Sequence, residues 1–240
     1  MVAKEILSVQ HPLVKRAVAL RQERKAREEE KRVLIVGKNL ISDLASHVSF
    51  DTLFYLEQTP SFSVRENIHV SHAVLKKITG LEEPDGWAAI IPLPPPQSLW
   101  NCNRILVLDQ IGDPGNLGTL WRTALGLGWD GIWITPGTVD PFNDKALRAA
   151  KGATFRLGYE WIKPEEISKW KGALFVADLQ GEPLTKIKTI VPFGLVLSRE
   201  SRGPNNWTKP YTKVTIPMSN SLESLNVASA GSILLYELNA

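Results

Sequence analysis

Three stretches of this chain carry residue types that could do chemistry, and each follows a short apolar run. The first is Asp109-Gln-Ile-Gly-Asp-Pro-Gly-Asn-Leu-Gly-Thr-Leu-Trp-Arg122-Thr-Ala. Asp113-Pro114 reads as a helix start, with proline at the first helical position, where its missing N–H has no partner to lose. Asn116 and Arg122 lie six residues apart, nearly two turns, which places both along one side of a sheet edge. Arginine offers a fixed fork of donors suited to phosphate. On spacing alone, a surface helix arginine paired with a carboxylate is an equally good reading. The second stretch is Ser198-Arg-Glu200-Ser-Arg-Gly203, and the third is Pro217-Met-Ser-Asn-Ser-Leu-Glu-Ser224-Leu-Asn226 ahead of a small-residue helix. Loops leaving strand ends can hold the edge of an adenine with backbone groups alone. Ser224 also stands where a helix N-cap is expected.

These stretches need elements that bring them to one place. Val107 lies in Ile105-Leu-Val-Leu108, and similar near-continuous apolar runs recur at 131–135, 173–177, 195–197 and 213–216. Runs of this kind fit buried strands of a parallel sheet with helices on both faces. Helical stretches are expected at 117–127, 143–150 and 224–238. In an open parallel sheet, ligands bind beyond the carboxyl ends of the strands, where all three stretches begin.

Ile91-Pro-Leu-Pro-Pro-Pro-Gln-Ser98 reads as a boundary, because clustered prolines continue neither a helix nor a central strand; a surface loop inside one domain is the alternative. Residues 1–91 are read as a small α/β domain, 92–99 as a linker and 100–240 as a second α/β domain. In the first part, 11–32 is a charge-rich helical stretch with an apolar seam of Leu13, Ala17 and Leu20. Glu23/Arg27, Arg24/Glu28 and Glu28/Arg32 sit one turn apart in it. Strands are expected at 33–36, 52–56, 67–70 and 87–91, with helices at 39–46 and 71–78, the latter capped by Ser71.

Composition narrows the classes. Hydrophobic residues make up 43% and charged residues 22% of the 240, enough for each part to bury a core. The formal charge of +3 requires any polyanion site to be a concentrated patch. Cys102 is the only cysteine, so no internal disulfide forms, and no histidine pairs with it at metal-ligand spacing. No metal is expected. The first residues lack the apolar core of a signal peptide, and no run approaches the ~20 apolar residues of a membrane span. The expectation is a cytoplasmic protein. Gly126-Leu-Gly-Trp-Asp-Gly131 matches the glycine string of dinucleotide folds, but it ends a helix and leads into a strand, the reverse of what that motif requires.

Taken together, Asn116-Leu-Gly-Thr-Leu-Trp-Arg122, Leu195-Val-Leu-Ser-Arg-Glu200-Ser-Arg-Gly203 and Ile216-Pro-Met218…Ser224-Leu225-Asn226-Val227 resemble the SpoU/TrmH class of SPOUT methyltransferases. The likeness extends through Asp140-Pro-Phe-Asn-Asp-Lys-Ala-Leu-Arg148…Gly152. The first part is similar to that family's substrate-binding domain in Ser8-Val-Gln-His-Pro-Leu-Val-Lys15, Arg24-Lys-Ala-Arg-Glu28 and Leu34-Ile-Val-Gly37, with Val36 where a glutamate is frequent.

The resemblance implies a trefoil-knotted sheet, S-adenosylmethionine as cofactor, and methyl transfer to a ribose 2′-hydroxyl of RNA, ribosomal RNA ahead of transfer RNA. It implies a homodimer. Cofactor contacts fall on Thr135, Leu197, Ser198, Gly203, Ile216, Met218 and Leu225. Arg122 takes the catalytic place, with Asn116, Glu200, Ser224 and Asn226 orienting it and the nucleotide. RNA contact falls on Lys15, Arg16, Arg24, Lys25 and Arg27; the alternative for these is a solvated helix laced with salt bridges. Three positions depart from the family pattern: Ser198 and Asn220 stand where glycine is usual, and Ala150 where serine is usual. Ser198 adds a side chain at the expected cofactor wall, where glycine permits close approach. A non-catalytic RNA-binding relative is the alternative that these departures support.

Overall fold

Short apolar runs alternating with helices produce two α/β units. The computed structural model describes residues 4–184, 187, 189–199, 209–219 and 224–239. By contacts one unit is Met1–Pro95 with Phe142–Phe155, and the other is Pro96–Pro141 with Arg156–Ala240.

In the first unit the strands are β1 (Lys4–Ile6), β2 (Arg32–Val36), β3 (Thr52–Tyr55), β4 (Glu66–Val70) and β5 (Trp87–Pro92). They form a five-stranded sheet in the order β1-β4-β3-β5-β2. β4 runs parallel to β1 and β3, whereas β5 is antiparallel to both β3 and β2. Helices α1 (Pro12–Gln22), α2 (Arg24–Glu30), α3 (Lys38–Asp43) and α4 (His72–Thr79) complete it. Val14, Ala17 and Leu20 of α1 and Val74, Leu75 and Ile78 of α4 bury against Leu34, Phe54, Ile68 and Ile90. Ser71 caps α4 as expected, its Oγ accepting from Val74 N at 3.3 Å, a contact worth about 1 kcal/mol.

The single helical stretch expected at 11–32 is two helices. Glu23 breaks it with extended backbone (φ −110°, ψ 118°). Arg27 explains the break. Its Nη1 donates to Leu20 O at 2.8 Å and Arg21 O at 3.0 Å, satisfying carbonyls that the end of α1 leaves open.

In the second unit, β6 (Arg104–Asp109), β7 (Gly131–Ile134), β8 (Tyr159–Trp161), β9 (Ala173–Pro183), β10 (Phe193–Ser198) and β11 (Thr212–Thr215) form a six-stranded sheet. Their order is β11-β9-β10-β6-β7-β8, and every neighbouring pair is parallel. Helix α5 (Pro114–Gly126) follows β6, and α7 (Val227–Glu237) ends the chain; α6 (Asp144–Ala150) groups with the first unit. β1 and β8, three residues each, escaped the sequence reading because they are too short to show a period.

One face of this sheet carries α5 and α7 side by side. A Cβ on Gly231 would lie 2.4 Å from Leu120 Cδ2 and 2.5 Å from Leu197 Cδ1, so only glycine lets α7 approach α5 and β10 this closely. The opposite face buries Ile105, Val107, Trp133, Val176 and Val196 under Leu99 and a 3-10 segment, Pro164–Lys169. Glu160 on that side accepts from Leu99 N at 3.0 Å, Trp133 Nε1 at 3.0 Å and Trp100 Nε1 at 3.3 Å, which satisfies a carboxylate set among tryptophans. The glycine string at 126–131 ends α5 and enters β7, with Gly128 at φ +70°, the turn expected of it.

Candidate active site

Both helices that start at the carboxyl rim of the second sheet are capped by side chains from the motif loops. Asp113 Oδ1 accepts from Asn116 N at 2.9 Å, opening α5 at Pro114 as expected. Asn226, and not Ser224, caps α7: its Oδ1 accepts from Ala228 N at 2.9 Å and Ser229 N at 3.3 Å. Asparagine and serine cap comparably, so the sequence ranks neither first. Asn226 does more than cap. Its Nδ2 donates to Asn116 Oδ1 at 3.1 Å, tying the third motif to the first across 110 residues. Farther along, Thr123 and Ser232 hydroxyls meet at 3.3 Å, so the two helices run parallel. Their positive dipole ends share one rim.

Beside these helix starts lies a buried carboxylate that sequence reading missed. Asp109, fully buried, ends β6. Its Oδ1 accepts from Thr135 Oγ1 at 2.7 Å, just past β7, and its Oδ2 accepts from Ser198 Oγ at 3.1 Å, at the end of β10. Thr135 Oγ1 in turn accepts from Gln110 N at 3.2 Å, where Gln110 takes a positive φ of 56°. Three strand ends are thus bound as one block. The signal was present: a charged residue closing an apolar strand is buried only when partnered.

This arrangement answers the departure at Ser198. Its hydroxyl is spent on Asp109, which fixes the side chain against the neighbouring strand end. The residues therefore fit S-adenosylmethionine at this rim. Thr135 and Leu197 are buried, leaving their main chain to act. Ile216 and Met218 follow β11, and Leu225 precedes α7; all three are half-buried. Glu200, Gly203 and Asn220 lie outside the described residues. Ser224 is exposed, and Ala150 is buried in α6. Arg122 stands on the exposed side of α5 and makes no hydrogen bond or ion pair with the described residues. The carboxylate-paired reading of Arg122 finds no partner among them.

The basic helix fares differently. Arg27 is 2% exposed and holds the end of α1, so its guanidinium is withdrawn from RNA. Arg16 pairs with Glu30 at 2.6 Å, Arg24 with Glu28 at 2.6 Å and Lys25 with Glu29 at 3.7 Å. The Arg24 hydrogen bond holds the Glu28 carboxyl below its ordinary value. Lys15 is exposed. Salt-bridge lacing therefore describes much of this surface. Cys102 is half-buried, and burial pushes its thiol up, which makes it a poor nucleophile. Among the described residues no cluster of His, Cys, Asp or Glu could hold a metal, and no helix is long and apolar enough to cross a membrane.

Comparison with known proteins places this geometry. The sequence model of the SpoU rRNA Methylase family matches residues 103–236, and that of the MRM3-like substrate binding domain matches 11–89. An uncharacterized tRNA/rRNA methyltransferase of Synechocystis is 32% identical over 97% of this chain and 92% of its own length. The 23S rRNA (guanosine(2553)-2'-O)-methyltransferase RlmP of Bacillus subtilis is 32% identical over 70% of this chain and 71% of its own. The crystal structure of an AdoMet-bound rRNA methyltransferase from Sinorhizobium meliloti superposes with a TM-score of 0.87 at 27% identity, covering 98% of this chain and 97% of that one. With its motifs gathered on one rim of a parallel sheet, the chain belongs to the SpoU rRNA methylase family.

Proposed function

We propose that the protein transfers a methyl group from S-adenosylmethionine to a ribose 2′-hydroxyl of ribosomal RNA. The observation that carries this is the Asn226–Asn116 hydrogen bond, which brings the third motif onto the first beside the Asp109-braced strand ends. The cofactor supplies an electrophilic methyl group on a sulfonium. The chain supplies position. Main chain at Leu197, Ser198, Ile216, Met218 and Leu225 would hold the cofactor, and Asn116 and Asn226 would orient the nucleotide. Holding acceptor and donor in attack geometry is worth up to ~7–11 kcal/mol in favourable cases.

Arg122 offers a cationic, planar fork of N–H donors. It therefore stabilises the oxyanion that develops as the hydroxyl loses its proton, and grips the adjacent phosphate. The test is to map ribose methylation across total RNA with and without the gene, together with calorimetric titration of the protein with S-adenosylmethionine. One lost ribose methylation and a measurable affinity are expected. An unchanged map with no cofactor binding would instead favour the non-catalytic RNA-binding relative.

The same reading includes a homodimer joined through α5 and α7, which would bring Arg122 of one protomer to the cofactor of the other. Ile233 (41% exposed) and Tyr236 (63% exposed) on the outer side of α7 support it, being apolar surface next to the exposed side of α5. Tyr236→Glu is expected to convert dimer to monomer in sedimentation velocity and to lower methylation with it. A wild-type monomer at working concentration would end the proposal. A trefoil path belongs to the same reading; the return of α7 from the edge strand β11 to pack beside β10 supports it.

A further inference from the structure

The first unit contains a basic cleft that the motif residues do not touch. β2, β3 and β4 all start at one end of their sheet, and there Arg16, Arg32, Asp51, Thr52, Arg65 and Glu66 line an open cleft of about 510 Å³. That volume lies within the ~300–1,000 Å³ usual for ligand sites. Every lining residue is polar or charged. With no aromatic or aliphatic side chain among its lining residues, the cleft offers no apolar wall, and its ligand is recognised chiefly by charge and hydrogen bonds.

Three guanidiniums face two carboxylates, and the carboxylates are already engaged. Asp51 holds Arg32, and Glu66 holds Lys4 at 2.8 Å. Arg16 is bonded to Glu30 just outside the lining. A cation site is thereby excluded. The mode of engagement matters more than the count. Glu30 takes the Nε of Arg16, and Asp51 takes the Nε of Arg32. A guanidinium has five N–H donors in a rigid fork, so Arg16 keeps its terminal nitrogens for another acceptor, and Arg32, whose Nη1 also donates to Lys31 O at 2.9 Å, keeps Nη2. Arg65 is exposed and pairs with none of the described residues, while its backbone is fixed by Arg65 N donating to Phe50 O at 3.0 Å.

We propose that this cleft holds a backbone phosphate of RNA, with Arg65 as principal donor and the terminal nitrogens of Arg16 and Nη2 of Arg32 completing the grip. The proposal rests on the reading of the chain as an RNA methyltransferase and adds where the RNA backbone is held. Contacts of this kind set register on the nucleic acid without reading sequence. Arg32 braces Asp51, so substituting it disturbs the fold; the Arg65 side chain pairs with none of the described residues and is the one to change.

The test measures binding of a labelled short single-stranded RNA of mixed sequence to the full chain over a range of salt. Arg65→Ala is expected to weaken binding several-fold and to flatten the slope of log affinity against log salt by about 0.7, the share of one phosphate contact. Arg65→Glu should weaken it further, and Arg65→Lys should recover the slope. Affinity for S-adenosylmethionine should be equal in all of them. If the wild type binds RNA and cofactor while Arg65→Ala and Arg65→Glu leave affinity and slope unmoved, the cleft proposal is overturned and the function stands. If the wild type binds neither, both fall. Inorganic phosphate bound at low concentration and lost in Arg65→Ala, with RNA binding unmoved, would assign the cleft to the free anion and overturn it as an RNA site.

Discussion

Arg122→Ala is expected to lower the rate of ribose methylation by about 10²–10³-fold, the loss that follows removal of one donor to a developing oxyanion. Affinity for S-adenosylmethionine should stay near the wild-type value, because Arg122 is exposed on α5 and takes no part in the bonds that hold the rim. The effect should therefore fall on kcat and on the KM for RNA, with cofactor binding spared. Arg122→Lys separates charge from shape. Lysine keeps the positive charge but lacks the planar fork, so it should recover only a minor part of the rate. A lysine enzyme with full turnover would show that charge alone suffices, and the guanidinium-specific role would be lost.

The second large effect concerns Asp109. In Asp109→Ala the fully buried Thr135 hydroxyl loses its acceptor, and the Ser198 hydroxyl loses the partner that fixes it against the neighbouring strand end. A buried polar group left unmatched costs about 1–3 kcal/mol, so a destabilisation on the order of 3 kcal/mol is expected in denaturant unfolding. Cofactor affinity should weaken as well, since the ends of β6, β7 and β10 are no longer held together. A double-mutant cycle isolates the contact. Asp109→Ala and Ser198→Ala share one hydrogen bond, so their effects should be non-additive by about 0.5–3 kcal/mol. Strict additivity would mean that Ser198 and Asp109 do not act as a unit. Ser198→Gly alone should leave the cofactor site usable, because glycine is the family's usual residue there.

Much of the second sheet was legible in the chain before any coordinates. Runs such as Ile105-Leu-Val-Leu108 are apolar on successive positions because a parallel strand is covered on both faces, and no partner need be known to see it. Asp113-Pro114 announced the start of α5 for an equally local reason, the geometry of a first helical turn. The misleading glycines at 126–131 could be dismissed from their order relative to the neighbouring helix and strand. The motif constellation, with Asn116, Arg122, Ser198, Ser224 and Asn226 in sequence order, was visible for the same reason: each piece is a short string.

What stayed hidden involves pairs far apart in the chain. Asp109 meets Thr135 across 26 residues and Ser198 across 89; only the strand order, which sets β6 between β7 and β10, makes them neighbours. Asn226 outranks Ser224 as the cap of α7 because its amide can also reach Asn116. Arg27, one of a row of similar basic residues in sequence, was turned inward by the open carbonyls of α1, while Arg65, unremarkable in sequence, came to stand beside Arg16 and Arg32 through the pairing of β3 with β4. Periodicity reports whether a residue is buried within its own element. Which hydroxyl, carbonyl or carboxylate it meets there depends on the packing of distant elements, and that information is carried by no single stretch of the chain.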